Sequence, residues 1–147
     1  MNNKMVDEID LINNRIKELG ITPCKLAKIN MLDASSMYGY LSKESVPKYT
    51  TIKRMLSSIG INIDYKNIDG IGKYKDEFDL IRKKMNKFDI SQKYIASYCK
   101  IDRPRLSKIL RFPSYQNINY KLMKNMLDAV DIEIIYEVNN NDCKKED

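Results

Sequence analysis

The stretch Ile90–Phe112, ISQKYIASYCKIDRPRLSKILRF, decides how the rest of the chain is read. Ser91 stands where a helix N-cap accepts from the first free amides, and Ile95, Ala96 and Cys99 fall on one face of the helix it opens. A break at Lys100–Ile101 follows, then Asp102 as a second cap. Arg103 and Pro104 occupy the next helix's first turn, where proline's missing N–H costs nothing. This second helix turns Leu106, Ile109 and Leu110 inward and leaves Arg103, Arg105, Ser107, Lys108 and Arg111 for solvent. Two short helices at a steep angle, joined by a tight turn and carrying cations on the second, follow helix-turn-helix logic.

The stretch resembles the Cro and lambda-repressor type of helix-turn-helix domain, the xenobiotic-response-element family. The likeness rests on Ser91–Gln92 opening the first helix, Ile95–Ala96 within it and Ile101 past the turn. Asp102 opening the second helix and the Leu106–Ser107 pair complete it. Lys100 stands where the family has a turn glycine, and a non-glycine residue at positive φ costs roughly 1 kcal/mol. The resemblance implies a helix inserted in the DNA major groove, and it implies that Gln92 positions the first helix against a phosphate. The bare chemistry of Gln92 equally allows an ordinary exposed residue beside a cap.

The pattern occurs twice. Asp7–Ile12, DEIDLI, recurs as Asp76–Ile81, DEFDLI, at an offset of 69. That offset pairs Ile16 with Met85, Ala27 with Ala96, Leu32 with Ile101, Asp33 with Asp102 and Leu41 with Leu110. After a two-residue slip, Tyr49–Tyr65 lies on Tyr120–Tyr136. The expected fold is all-α: two tandem lambda-repressor-like helix-turn-helix domains, each followed by a short β-strand. The boundaries are 1–65 for the N-terminal domain, 66–75 for a linker, 76–138 for the C-terminal domain and 139–147 for a disordered tail.

Within the first copy, Asp7–Leu19 reads as an amphipathic helix with Ile9, Ile12, Ile16 and Leu19 on one face, ended by Gly20. Thr22–Pro23 opens the second helix, and Asp33 caps a third that buries Met37 and Tyr40 or Leu41. Pro47–Ile59 is a further helix, and Ile61, Ile63 and Tyr65 alternate as a strand. The second copy ends in a longer strand, Ile132–Val138. A lone strand leaves its backbone groups without strand partners. The two segments therefore either pair with each other, making the chain a pseudo-dimeric monomer, or pair between chains in a homodimer.

Composition bounds the function. The 147 residues are 43% hydrophobic and carry no histidine, which excludes His-based catalysis and His-containing metal sites. Gly70 and Gly72 stand alone rather than in a phosphate-binding loop, and the carboxylate pairs Asp7–Glu8 and Asp76–Glu77 open helices, where they suit the dipole. The chain reads as no enzyme, with no cofactor and no metal. Cys24, Cys99 and Cys143 lack metal-type spacing, which suits reduced thiols in a cytoplasm, and no window approaches 18 apolar residues, so no membrane partner is expected.

Charge separates the copies. Between Arg82 and Lys124 twelve Lys/Arg face Asp89 and Asp102, whereas Ile21–Arg54 holds six against Asp33 and Glu44. A basic stripe of that density is the footprint of a phosphate-backbone partner. The candidate DNA-binding residues are Gln92, Arg103, Arg105, Ser107, Lys108 and Arg111 in the second copy, with Ser35, Ser36, Tyr38 and Lys43 in the first. Arginine on such a helix pairs with guanine O6 and N7. The first copy's outward residues either make weak contacts or belong to a domain that has lost DNA reading; Tyr38 and Tyr98 are half-buried packing residues or contacts. The expectation is a sequence-specific, double-stranded-DNA-binding transcriptional regulator of a phage, plasmid or mobile element. The alternative is a protein-binding module, such as an antitoxin or an inhibitor of a host defence nuclease, that also represses its own gene.

Overall fold

All but one of the helix starts in the described chain are fixed by a side-chain oxygen. The structure, a computed structural model, describes residues 6–112 and 118–139. Its elements run α1 (Glu8–Leu19), α2 (Pro23–Ile29), α3 (Ala34–Leu41), α4 (Tyr49–Ser58), β1 (Ile61–Lys66), α5 (Glu77–Phe88), α6 (Gln92–Cys99), α7 (Arg103–Arg111), α8 (Tyr120–Ala129) and β2 (Glu133–Val138). Asp7, Thr22, Asp33, Asp76, Ser91, Asp102 and Asn119 each accept from an amide of the helix they open. Such a cap contributes about 1 kcal/mol. Lys48 opens α4 without one. The chain is thus mainly helical, with one small sheet.

The sequence offsets return in the elements: α5 begins and ends 69 residues after α1, and α8 71 residues after α4. Gly20 and Asp89 close α1 and α5 in the left-handed region at φ 70 and 55. Lys100 closes α6 there too, at φ 58. Met31, in the α2–α3 turn, takes φ 57, a strain that no glycine or asparagine at that position announces.

Two compact units emerge. The first joins Val6–Asp64 to the described residues 136–139, and the second comprises the described residues of Tyr65–Ile135. The first unit's core gathers Ile9, Ile12, Leu26, Met37, Ile52, Met55 and Leu56, each at most 1% exposed. Buried Arg15 donates to the Ile59 carbonyl at 3.0 Å, and Asn30 donates to the Leu26 carbonyl at 3.0 Å. The second unit packs Leu80, Ile81, Ile95, Leu106, Ile109, Met126 and Leu127 in the same manner.

β1 and β2 form a two-stranded sheet, and the division into units falls inside both strands. In the first unit Asn139 N–H donates to the Gly60 carbonyl at 2.6 Å, and the Tyr136 hydroxyl donates to Glu8. In the second, the Tyr65 hydroxyl donates to Glu77 at 2.7 Å, and Asn67 donates to the carbonyl and carboxylate of Asp131 at 3.0 and 2.9 Å. These contacts make the strands antiparallel. The paired carboxylates at the helix starts therefore divide their work. Asp7 and Asp76 cap, while Glu8 and Glu77 are buried against tyrosines.

Some expectations need correction. β2 has six residues, as many as β1, because Ile132 N–H is already given to the Leu127 carbonyl at 2.9 Å where α8 closes. Leu19, Tyr40 and Leu41 are half-buried rather than core, and α4 starts at Tyr49, after Pro47. Within 66–75, Lys66 ends β1, and three ammoniums of α5 hold the segment: Lys84 donates to the Asn67 carbonyl, Lys87 to Asp69 and Lys83 to Lys73. Of the expected tail, 140–147 lies outside the described residues, with Cys143 in it. No described helix is long and apolar enough to cross a membrane.

Candidate nucleic-acid interface

The geometry of α7 follows from its two faces. Leu106, Ile109 and Leu110 are at most 4% exposed, which fixes the helix by its apolar side. Arg103, Arg105, Lys108 and Arg111 are exposed, and Ser107 is half-buried. Asp102, the acid that precedes the helix, accepts from the Arg105 backbone N–H at 2.7 Å and caps its start. Among the described residues none of the four cations has an ion-pair partner.

The twelve cations of Arg82–Lys124 divide into two sets. Arg82 donates to the Leu110 carbonyl and lies 3.7 Å from Asp79. Lys83 adds an ion pair to Asp79 at 3.4 Å, beyond its carbonyl contact. Lys84 is 5% exposed, and burial holds its ammonium below the ordinary lysine range. Lys87 is bound to the Asp69 carbonyl and Lys124 is buried. The other seven, Lys93, Lys100, Arg103, Arg105, Lys108, Arg111 and Lys121, are exposed. Six of these lie on α6, α7 and the turn between them. Lys93, Lys100 and Lys121 were not among the sequence candidates; what sets them apart from the tied lysines is exposure without a carbonyl or carboxylate partner among the described residues, since Lys87 is exposed yet tied.

Gln92, the first residue of α6, meets Ser107 and Arg111 in the lining of two open hollows. One, of about 310 Å³, adds Arg82, Met85, Asn86 and Leu110. The other, of about 470 Å³, adds Arg103 and Pro104. Guanidiniums, an amide and a hydroxyl around a hollow beside a helix N-terminus suit phosphate oxygens and base edges. Sequence reasoning missed Arg82, Met85 and Asn86, because nothing in α5's own pattern says which outward residues border α7.

The first-copy candidates are disposed differently. Ser35 is exposed, while Ser36 serves the α3 cap: its N–H and hydroxyl both donate to Asp33, at 3.1 and 2.7 Å. The Ser36 hydroxyl, foremost, holds the Asp33 carboxyl below its usual range. Tyr38 is 52% exposed, with its hydroxyl 3.7 Å from Cys24 Sγ. Lys43 Nζ pairs with Asp10 at 2.9 Å and Asp7 at 3.3 Å, which raises its pKa and spends its charge on α1. Tyr98 donates to Asp128, a bond that pushes its phenol up to about 12, so it is a packing residue.

No protein-family profile, curated protein or solved structure matches this chain.

Proposed function

We propose that this chain is a sequence-specific duplex-DNA-binding protein of the helix-turn-helix kind, acting in the cytoplasm as a transcriptional regulator. α6 and α7 form the reading unit of the second of two tandem domains, and α7 enters the major groove. One observation carries the reading: α7 is pinned by a buried apolar face while four exposed cations, without ion-pair partners among the described residues, line the other. Arg103 and Arg105, near the helix start, suit bidentate pairing to guanine. Gln92, Lys93, Lys100, Lys108 and Arg111 suit phosphates, which position without specifying.

Selection of binding sites from random duplexes tests this directly. Enrichment of a defined core, bound with strong salt dependence, is the expected result; absence of any enriched sequence refutes sequence-specific reading. A second reading, a protein-binding module, is favoured by Ile29, Met31 and Tyr38, which are 40%, 90% and 52% exposed in the first unit. Stoichiometric co-purification of a protein partner with chain that binds no duplex would favour it.

A further inference from the structure

We infer that each chain engages one duplex core, through α7 alone, and that α3 does not read DNA. The inference rests on the DNA-binding reading above and names the form of its target. The two copies align at an offset of 69, so the counterparts of Arg103, Arg105, Lys108 and Arg111 are Ala34, Ser36, Gly39 and Ser42. All four cations are replaced by small uncharged residues. From Ala34 to Leu41, ASSMYGYL, there is no Arg, Lys, Asn or Gln, the side chains that make bidentate contacts to guanine or adenine.

Two of the polar candidates are committed elsewhere, while Ser35 and Tyr38 stay exposed. Ser36 is bonded to Asp33, and Lys43, the first cation past the helix, is paired with Asp7 and Asp10. Since phosphate neutralisation supplies most non-specific affinity, a helix without available cations gains little from the backbone.

A second observation is steric. The 42–45 loop folds back on α3: Ser42 Oγ, Glu44 N–H and Ser45 N–H all donate to the Gly39 carbonyl, at 3.3, 3.0 and 3.2 Å. A Cβ built on Gly39 would stand 2.9 Å from Ser45 Oγ. The position that presents Lys108 in α7 therefore lies, in α3, against the Ser45 hydroxyl of its own loop. At the turn before the helix, Met31 is 90% exposed where α6 ends in Lys100, and a thioether offers a phosphate nothing.

The test uses the full chain and the duplex enriched from random sequence. Native mass spectrometry on that duplex should count one core per bound chain, and the core should contain guanine. Changing Ser35 and Tyr38 together to Ala should leave affinity within about twofold, whereas Arg105→Ala should lower it about tenfold or more. Two cores per chain, or a larger loss from the α3 pair than from Arg105→Ala, would overturn the inference while leaving DNA binding intact. Enrichment of no sequence at all would instead remove the DNA-binding reading, and this inference with it.

Discussion

Neutralising one exposed lysine and one tied lysine separates a built DNA surface from a merely basic protein. With Arg103 and Arg105 on bases, Lys93, Lys100, Lys108 and Arg111 remain for phosphates, all exposed. At about 0.9 per phosphate, four contacts set a slope of log K against log salt near about −3.6. Between about 50 and 200 mM salt, that slope lowers affinity about 150-fold. Lys108→Gln should reduce the slope to about −2.7, and the loss over the same range to about 40-fold. Lys83→Gln removes the same formal charge, yet Lys83 Nζ already serves the Lys73 carbonyl and the Asp79 carboxylate. It should leave the slope unchanged. Fluorescence anisotropy on the selected duplex, repeated at several salt concentrations, reads both variants. Equal reductions from Lys83→Gln and Lys108→Gln would refute the division of the cations, and a slope shallower than about −1 would refute the phosphate contacts altogether.

Three further outcomes are expected. Arg105→Ala should cost about 1–3 kcal/mol on the preferred site and relax its sequence preference; equal loss on random duplexes would make Arg105 a phosphate contact. Tyr136→Phe removes a hydroxyl donor from Glu8, which is 0% exposed, and urea unfolding should show a loss of about 1.5–3 kcal/mol that shrinks in a Glu8→Gln background. A loss under about 0.5 kcal/mol would mean the contact is energetically idle. Because the Asp128 bond raises Tyr98 to about 12, its stabilisation is intact below the ordinary tyrosine pKa, near 10, and is lost as pH rises through that window. Alkaline denaturation of Tyr98→Phe should accordingly be flatter over that range, and an identical profile would count against the Tyr98–Asp128 bond.

Local chemistry made much of this architecture readable. Ser91, Asp102, Asp33 and Thr22 cap the helices that their positions indicated, and the apolar periodicity of Leu106, Ile109 and Leu110 became α7's buried face. The outward placement of Arg103, Arg105, Lys108 and Arg111 followed from that periodicity alone. What stayed hidden depends on groups distant in sequence. Glu8 looked like a dipole-compensating acid, since its partner Tyr136 lies 128 residues away. Lys43 counted as a cation, but Asp7, the cap of α1, and Asp10 within it claim it. Lys83, Lys84 and Lys87 swelled the apparent basic stripe, although backbone carbonyls between Asn67 and Lys73 hold them. A charge count sees formal charge, whereas affinity depends on charge still available to a partner.

The two copies keep alike what is expensive to change and differ where change is cheap. Asp7 and Asp76, or Asp33 and Asp102, hold the same caps, and Glu8 and Glu77 are each buried against a tyrosine. On the outer faces, substitutions away from special contacts stay within about 0.5 kcal/mol, so charge can come and go freely. Grafting α7's cations onto α3 turns this into a test. Ala34→Arg and Ser42→Arg fall on exposed positions and should leave the melting temperature nearly unchanged, since they sacrifice only the Ser42 hydroxyl's bond to the Gly39 carbonyl. Gly39→Lys differs in kind, since its Cβ would stand 2.9 Å from Ser45 Oγ and that hydroxyl must turn aside. Calorimetry should find Gly39→Lys gaining less than the roughly 0.7 kcal/mol that lysine has over glycine inside a helix, because the Ser45 hydroxyl is displaced. If the full gain appears, Ser45 is not packed against α3, and the steric half of the case for reading through α7 alone fails.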